Sequence, residues 1–161
     1  MKLLIALLLA LATSSAFAIS YSFEELRKGV PEAAAVDTAR SEGLIVSADP
    51  RGGGYLLADA RSKEVVSILW VCTGRLYGYS VSAKGGASAF VKRVAQFNAE
   101  FGAPGNATAT SKMQSFGEDN TIEINWQKNW RTATLTYTPS TPGLEESQWI
   151  RYSVSQVCGT K

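Results

Sequence analysis

The sequence predicts a single α+β domain, a largely antiparallel sheet of about eight strands with helices packed on one face. Three observations carry this reading. Short segments rich in Val, Ile, Tyr, Trp and Thr recur between Gly, Pro, Asn and Asp turns. One long segment, "ASAFVKRVAQFNAEFG", has unmistakable helical periodicity. The order is helix and then four strands, twice over, without a repeat at the level of residues.

The N-terminus stands apart. In "MKLLIALLLALATSSAFA" one Lys precedes an apolar run from Leu3 to Ala12, and Ala16-Phe17-Ala18 fits an A-x-A cleavage site. Residues 1–18 are therefore expected to be a secretory signal peptide, with 19–161 as one secreted domain. The run is short for a bilayer span and no basic stop-transfer flank follows it. No Cys sits at the cleavage point to take a lipid. The expected location is periplasmic or secreted, with no membrane insertion after cleavage. Without Lys2, Lys and Arg nearly balance Asp and Glu and no basic block remains, so nucleic acid is not an expected partner.

Ser22-Phe23-Glu24-Glu25 is a capping box, and Pro31 suits the first position of an Ala-rich helix that stops at Gly43. These residues predict a helix-turn-helix pair over 22–41. Strands follow at Leu44 to Ala48 and Tyr55 to Ala60, with Arg51-Gly52-Gly53-Gly54 as the turn between them. Glu64 to Cys72 and Arg75 to Ser82 flank Thr73-Gly74, a two-residue hairpin loop. In that register Trp70 opposes Tyr77, Ile68 opposes Tyr79 and Val66 opposes Val81, all on the face of Cys72. Phe90, Val94, Phe97 and Phe101 then form the stripe that faces the sheet, and Gly102 and Pro104 end the helix.

Four more strands are expected: Ala107 to Ser115, Asn120 to Gln127, Arg131 to Thr138 and Ser147 to Cys158. With Lys128-Asn129 as a turn, Ile124 opposes Ala133 and Ile122 opposes Leu135 on the helix side. Glu123 opposes Thr134, Asn125 opposes Thr132 and Gln127 opposes Trp130 on the other side. Trp126 sits inward beside Arg131, in reach of a cation–π contact. With Gly117 to Asn120 as the preceding loop, Met113 meets Ile124 inside, while Lys112 meets Asn125 and Gln114 meets Glu123 outside. In the last strand Trp149 and Arg151 fall on the open side, and Cys158 on the inward one.

Two cysteines, Cys72 and Cys158, are present. In an oxidising compartment they are expected to form a disulfide, which for so long a loop stabilises by roughly 4–5 kcal/mol in the chain-entropy account. The chain has no histidine, which excludes Ser-His and Cys-His pairs and histidine metal sites. No phosphate loop, nucleophile elbow, calcium loop or zinc spacing occurs, so no cofactor or metal is expected. Glu123 is the only carboxylate placed on the open face and lacks an acid partner for glycoside hydrolysis.

The unit of helix, Phe101-Gly102-Ala103-Pro104 and strands carrying Trp126 resembles small secreted bacterial α+β proteins. In overall plan it is similar to the β-lactamase-inhibitor architecture. That resemblance implies tandem helix-plus-four-strand units forming one sheet whose open face grips an enzyme. It carries over no contact residue and does not imply β-lactamase as the target.

The sequence thus points to a non-catalytic binding protein, an inhibitor or immunity protein that holds another protein, an exported enzyme or toxin, through the open sheet face and hairpin loops. Trp130, Trp149 and Arg151 are the expected anchors, because Trp and Arg are enriched at binding hot spots. Glu123 and Lys112 would set charge complementarity. The alternative is a carrier of a small ligand or envelope polymer, with a helix–sheet cavity lined by Tyr77, Tyr79 and Phe97.

Overall fold

The computed structural model describes residues 19–114, 117–141 and 145–155. The expected signal peptide and Cys158 lie outside the described residues. Helix α1 (Phe23–Lys28) opens on the capping box: Ser22 Oγ accepts from the Glu25 N–H at 3.2 Å, and the Glu25 carboxylate accepts from the Ser22 N–H at 2.7 Å. Gly29, at φ 77, ends it in the left-handed region that glycine enters without a Cβ clash. A two-residue strand, β1 (Val30–Pro31), separates it from α2 (Glu32–Ser41).

The first run of strands is β2 (Leu44–Ala48), β3 (Gly54–Asp59), β4 (Val65–Cys72) and β5 (Arg75–Ser82). Helix α3 (Ala87–Phe101) follows, and then β6 (Asn106–Gln114), β7 (Gly117–Lys128), β8 (Arg131–Thr138) and β9 (Ser147–Val154). All join one nine-stranded sheet in the order β2-β3-β4-β5-β9-β8-β7-β6, with β1 pairing β5. Each pairing among the described residues is antiparallel. The fold is an open, antiparallel α+β sheet, with β1 the strand that the sequence reading missed. Two residues are too few to carry an alternation signal.

Two groups of buried side chains line the sheet. Leu26, Ala35 and Ala39 from α1 and α2 cluster with Leu57, Leu69, Leu76 and Tyr79. Phe90, Phe97 and Phe101 from α3 cluster with Trp126, Ala133, Leu135 and Tyr137. Phe23 and Tyr152 pack against both groups. The Tyr152 ring lies 5.3 Å from that of Tyr79 and 6.1 Å from that of Phe97, so aromatic packing is continuous from one group to the other.

The registers depart from expectation in three places. In the β4–β5 hairpin the loop is Thr73-Gly74 as read, and both residues are left-handed, at φ 49 and φ 72. Cys72 pairs Arg75 and Val71 pairs Leu76, but Trp70 then pairs Gly78. Tyr77 is the extra residue of a β-bulge. Beyond it Leu69 opposes Tyr79 and Ile68 opposes Ser80, so Trp70 and Ile68 leave the core side. In the β7–β8 hairpin Lys128 pairs Arg131, and the loop is Asn129-Trp130 with Asn129 at φ 58. The ladder slides by two residues, which preserves the faces: Ile124 opposes Leu135, Ile122 opposes Tyr137 and Trp126 opposes Ala133. In the β6–β7 hairpin the ladder runs to the tip, so Ala107 rather than Met113 opposes Ile124. Met113 is left 81 % exposed.

Arg131 does not meet Trp126. The Trp126 indole N–H donates to Asn98 Oδ1 at 2.8 Å, while the Arg131 guanidinium lies 5.4 Å from the Phe23 ring centre and 5.3 Å from that of Phe101.

Burial pushes the Tyr79 phenol up to about 12, mainly because the phenolate would be cut off from water, with Tyr152 adding repulsion. A phenol that titrates higher in the folded than in the unfolded chain contributes stability below the unfolded value of about 10. That contribution is lost as pH rises through the folded value. Urea midpoints are therefore expected to fall between about pH 10 and pH 12. Tyr79→Phe should make the fall shallower, leaving the part due to Tyr21 and Tyr152, which burial also raises.

Candidate functional site

Side chains that alternate with the core set meet in a groove of about 420 Å³ on the opposite side of the sheet. Strand β9 supplies Trp149 and Arg151, β8 supplies Thr134 and Thr136, and β7 supplies Glu123 and Asn125. From the other half come Ile68 and Trp70 on β4, Ser80 on β5, and Arg51 from the turn before β3. The registers explain the assembly. Ile68 pairs Ser80, Ser80 pairs Arg151, Arg151 pairs Thr134 and Thr134 pairs Asn125, one continuous row across five strands. Trp149 pairs Thr136 and Thr136 pairs Glu123 in the adjacent row.

Arg151 is the centre of this surface. Its guanidinium lies 4.6 Å from the centre of the Trp70 ring, a cation–π contact. Trp70 is fixed in turn by its indole N–H, which donates to Ser80 Oγ at 3.0 Å. Arg151 Nε is buried and has no hydrogen-bond partner, and Arg151 has no ion pair among the described residues. Guanidinium carries five N–H donors, so this arginine is under-satisfied among the described residues.

The other end of the groove is acidic. Thr134 Oγ1 donates to Asn125 Oδ1 at 2.6 Å, and Asn125 Nδ2 donates to Glu123 Oε1 at 3.0 Å. Glu123 is exposed and has no cation partner among the described residues. Arg51 is already committed: it grips the buried Asp49 through Nε at 3.0 Å and Nη2 at 2.9 Å. Those bonds and the Arg51 N–H hold the Asp49 carboxyl below its usual range. The surface can therefore accept one anionic group at Arg151 and one donor at Glu123, with Trp149 as an apolar wall.

The expected anchors separate. Trp149, Arg151 and Glu123 come together in the groove. Lys112 does not join them: it is exposed on β6 opposite Asp119, not opposite Asn125. Trp130 is not on this side at all. As a loop residue it turns to α1, where its ring meets Phe23 edge-on at 6.3 Å and the Arg27 guanidinium at 5.2 Å. It is half-buried against the first core cluster. Cys72, expected on the core side, shares a shallow cleft with Thr132 and Ser153, which carry the parity of the groove residues. The described cysteine is not free.

The sequence reading missed Trp70, Ser80 and Arg51. A lone Gly in mid-strand is a bulge signal, and Gly78 was that signal. A Cβ there would come 2.7 Å from the Tyr152 carbonyl oxygen and 2.8 Å from Ser153 Cβ, so β5 and β9 approach closely at this point. The three residues expected to line a helix–sheet cavity do not share one setting. Tyr79 and Phe97 are buried, with the Tyr152 ring between them, while Tyr77 lines the cleft of Cys72.

Comparison with protein-family models, with curated proteins and with solved structures finds no match to this chain.

Trp130→Ala is expected to act on stability alone, lowering it by about 1–3 kcal/mol through lost ring packing and the lost cation–π contact. Urea denaturation measures the loss. Fluorescence quenching of the remaining groove tryptophans by acrylamide should stay unchanged.

Proposed function

We propose that this chain is an exported, non-catalytic binding protein that holds a partner protein in the open groove, in the manner of an inhibitor or immunity protein. The observation that carries the reading is Arg151, stacked on Trp70 beside Trp149, buried at Nε and without an acceptor among the described residues. Under-satisfied Arg beside half-buried aromatic surface is the composition of a binding hot spot. Trp149, Arg151 and Glu123 are the contact residues, joined by Trp70 and replacing Trp130 and Lys112. In this reading the three helices cover the other face, residues 1–18 direct export to the periplasm or beyond, and Cys72 pairs with Cys158. The reading extends the likeness in plan to β-lactamase-inhibitor architecture, without naming an enzyme as target.

Recovery of partner from periplasmic extract by immobilised protein tests this. Trp149→Ala is expected to lower recovery at least tenfold, the loss of a hot-spot residue, while Trp130→Ala recovers as much as the unmodified protein. Equal recovery by Trp149→Ala sinks the site.

Peptide mapping without reductant should find Cys72 linked to Cys158. Reduction should then cost about 2–5 kcal/mol of stability, read from the urea midpoint. Two free thiols in exported protein would remove the crosslink.

A further inference from the structure

We infer that the group bound at Arg151 is a carboxylate side chain of the partner protein, an Asp or Glu on an exposed segment, with a basic or amide donor neighbouring it for Glu123. This deepens the binding reading above and rests on it. Stacking on Trp70 at 4.6 Å fixes the guanidinium and uses its face. Its N–H edge is left for hydrogen bonds, and that edge has no acceptor among the described residues. Nε is closed to solvent, so an incoming oxygen pair must meet the Nη groups end-on.

A planar carboxylate fits that fork, whereas a neutral amide offers one acceptor and one donor that repels an N–H. The flanking groups limit the size of the acid. Ser80 and Thr134 pair Arg151 on either side, and Ser80 Oγ is already engaged by Trp70. The other cation that lines the groove, Arg51, has its charge balanced by Asp49 through Nε and Nη2, so it adds little for a doubly charged phosphate. The Asn125–Glu123 pair at the other end adds a negative charge, which disfavours a polyanion and favours a segment of mixed charge.

The test uses the intact exported protein and two blocked pentapeptides, Gly-Gly-Glu-Lys-Gly and the same sequence with Gln for Glu, with inorganic phosphate as a third probe. The Arg151 Nε–H resonance and tryptophan fluorescence are followed in titration. The Glu peptide should give a saturable shift at about tenfold lower concentration than the Gln peptide, and phosphate should be weaker than the Glu peptide. Equal titration by the two peptides, or no titration by either, overturns the inference. Tighter binding of phosphate overturns the choice of carboxylate. Arg151→Lys keeps the charge and loses the fork, so it should reduce the preference for Glu over Gln. Unchanged preference in Arg151→Lys also counts against the inference.

Partner recovery separates this inference from the reading beneath it. Loss of recovery in Trp149→Ala but not in Arg151→Gln overturns the carboxylate contact and leaves the groove as the site. Full recovery in both overturns the binding site itself.

Discussion

Strands β5 and β9 are far apart in sequence, and their antiparallel pairing from Gly78↔Ser153 to Ser82↔Trp149 is what joins the two runs of strands into one sheet. Each half closes its own hairpins by local contacts, which cost little loop entropy. Only the β5–β9 ladder joins the five strands β1 to β5 and the four strands β6 to β9 into one sheet. On the core side the seam is sealed by Tyr79 against Tyr152, with Phe23 touching Tyr152 at 5.8 Å and Phe97 at 6.1 Å. On the other side the same ladder places Ser80 against Arg151. The groove is therefore a product of the seam. Trp70 and Arg151, which make its central contact, come from different halves and meet only because β5 and β9 are joined.

The parts of this architecture that were legible in the sequence are those set by short-range rules. The α3 stripe, the capping box of Ser22 and Glu25, and the Thr73-Gly74 loop each depend on a few neighbouring residues, and each stands where the pattern puts it. Faces survived even where registers did not. A slide of two residues in the β7–β8 ladder keeps every side chain on its side, so Glu123, Asn125 and Thr134 were placed on the correct face with the wrong partners. A shift of one is fatal to such reading. The bulge at Tyr77 turned Trp70 from expected core to groove, and no alternation rule can detect it without taking Gly78 seriously.

The two tryptophans expected to act together show how loop position decides role. Trp149 lies inside β9, so strand parity determines its direction and it faces the groove. Trp130 was read as a strand residue, but Asn129 adopts the left-handed conformation and draws Trp130 into the loop. Freed from the pleat, the indole takes the nearest apolar surface, the Phe23 ring, and the nearest cation, Arg27. The same event explains Arg131. With the loop moved by one residue, its guanidinium leaves the Trp126 rim and spans Phe23 and Phe101, with Glu100 at 3.6 Å. Both residues thus add to the contact of Phe23 with Tyr152 in tying α1 to the second half of the sheet.

Arg151 presents the opposite balance. A guanidinium in a central strand, partly withdrawn from water and lacking an acceptor, costs free energy on the order of 1–3 kcal/mol for each unmet buried donor. The cation–π contact with Trp70 offsets part of that, and a leucine or threonine would avoid it altogether. Apart from the solvent-exposed Arg61, the other described arginines have partners: Arg51 has Asp49, Arg75 donates to the Gly29 carbonyl at 2.9 Å, and Arg93 donates to Gln148 at 2.5 Å. An arginine left unpaired in the middle of the sheet is therefore an exception within this fold, and local exceptions of that kind concentrate where a protein meets a ligand. Its position compounds the argument. It stands on the seam between the halves, in the row shared by five strands, where a bound group would touch both units at once. Binding at Arg151 would then strengthen the same junction on which the continuous sheet depends.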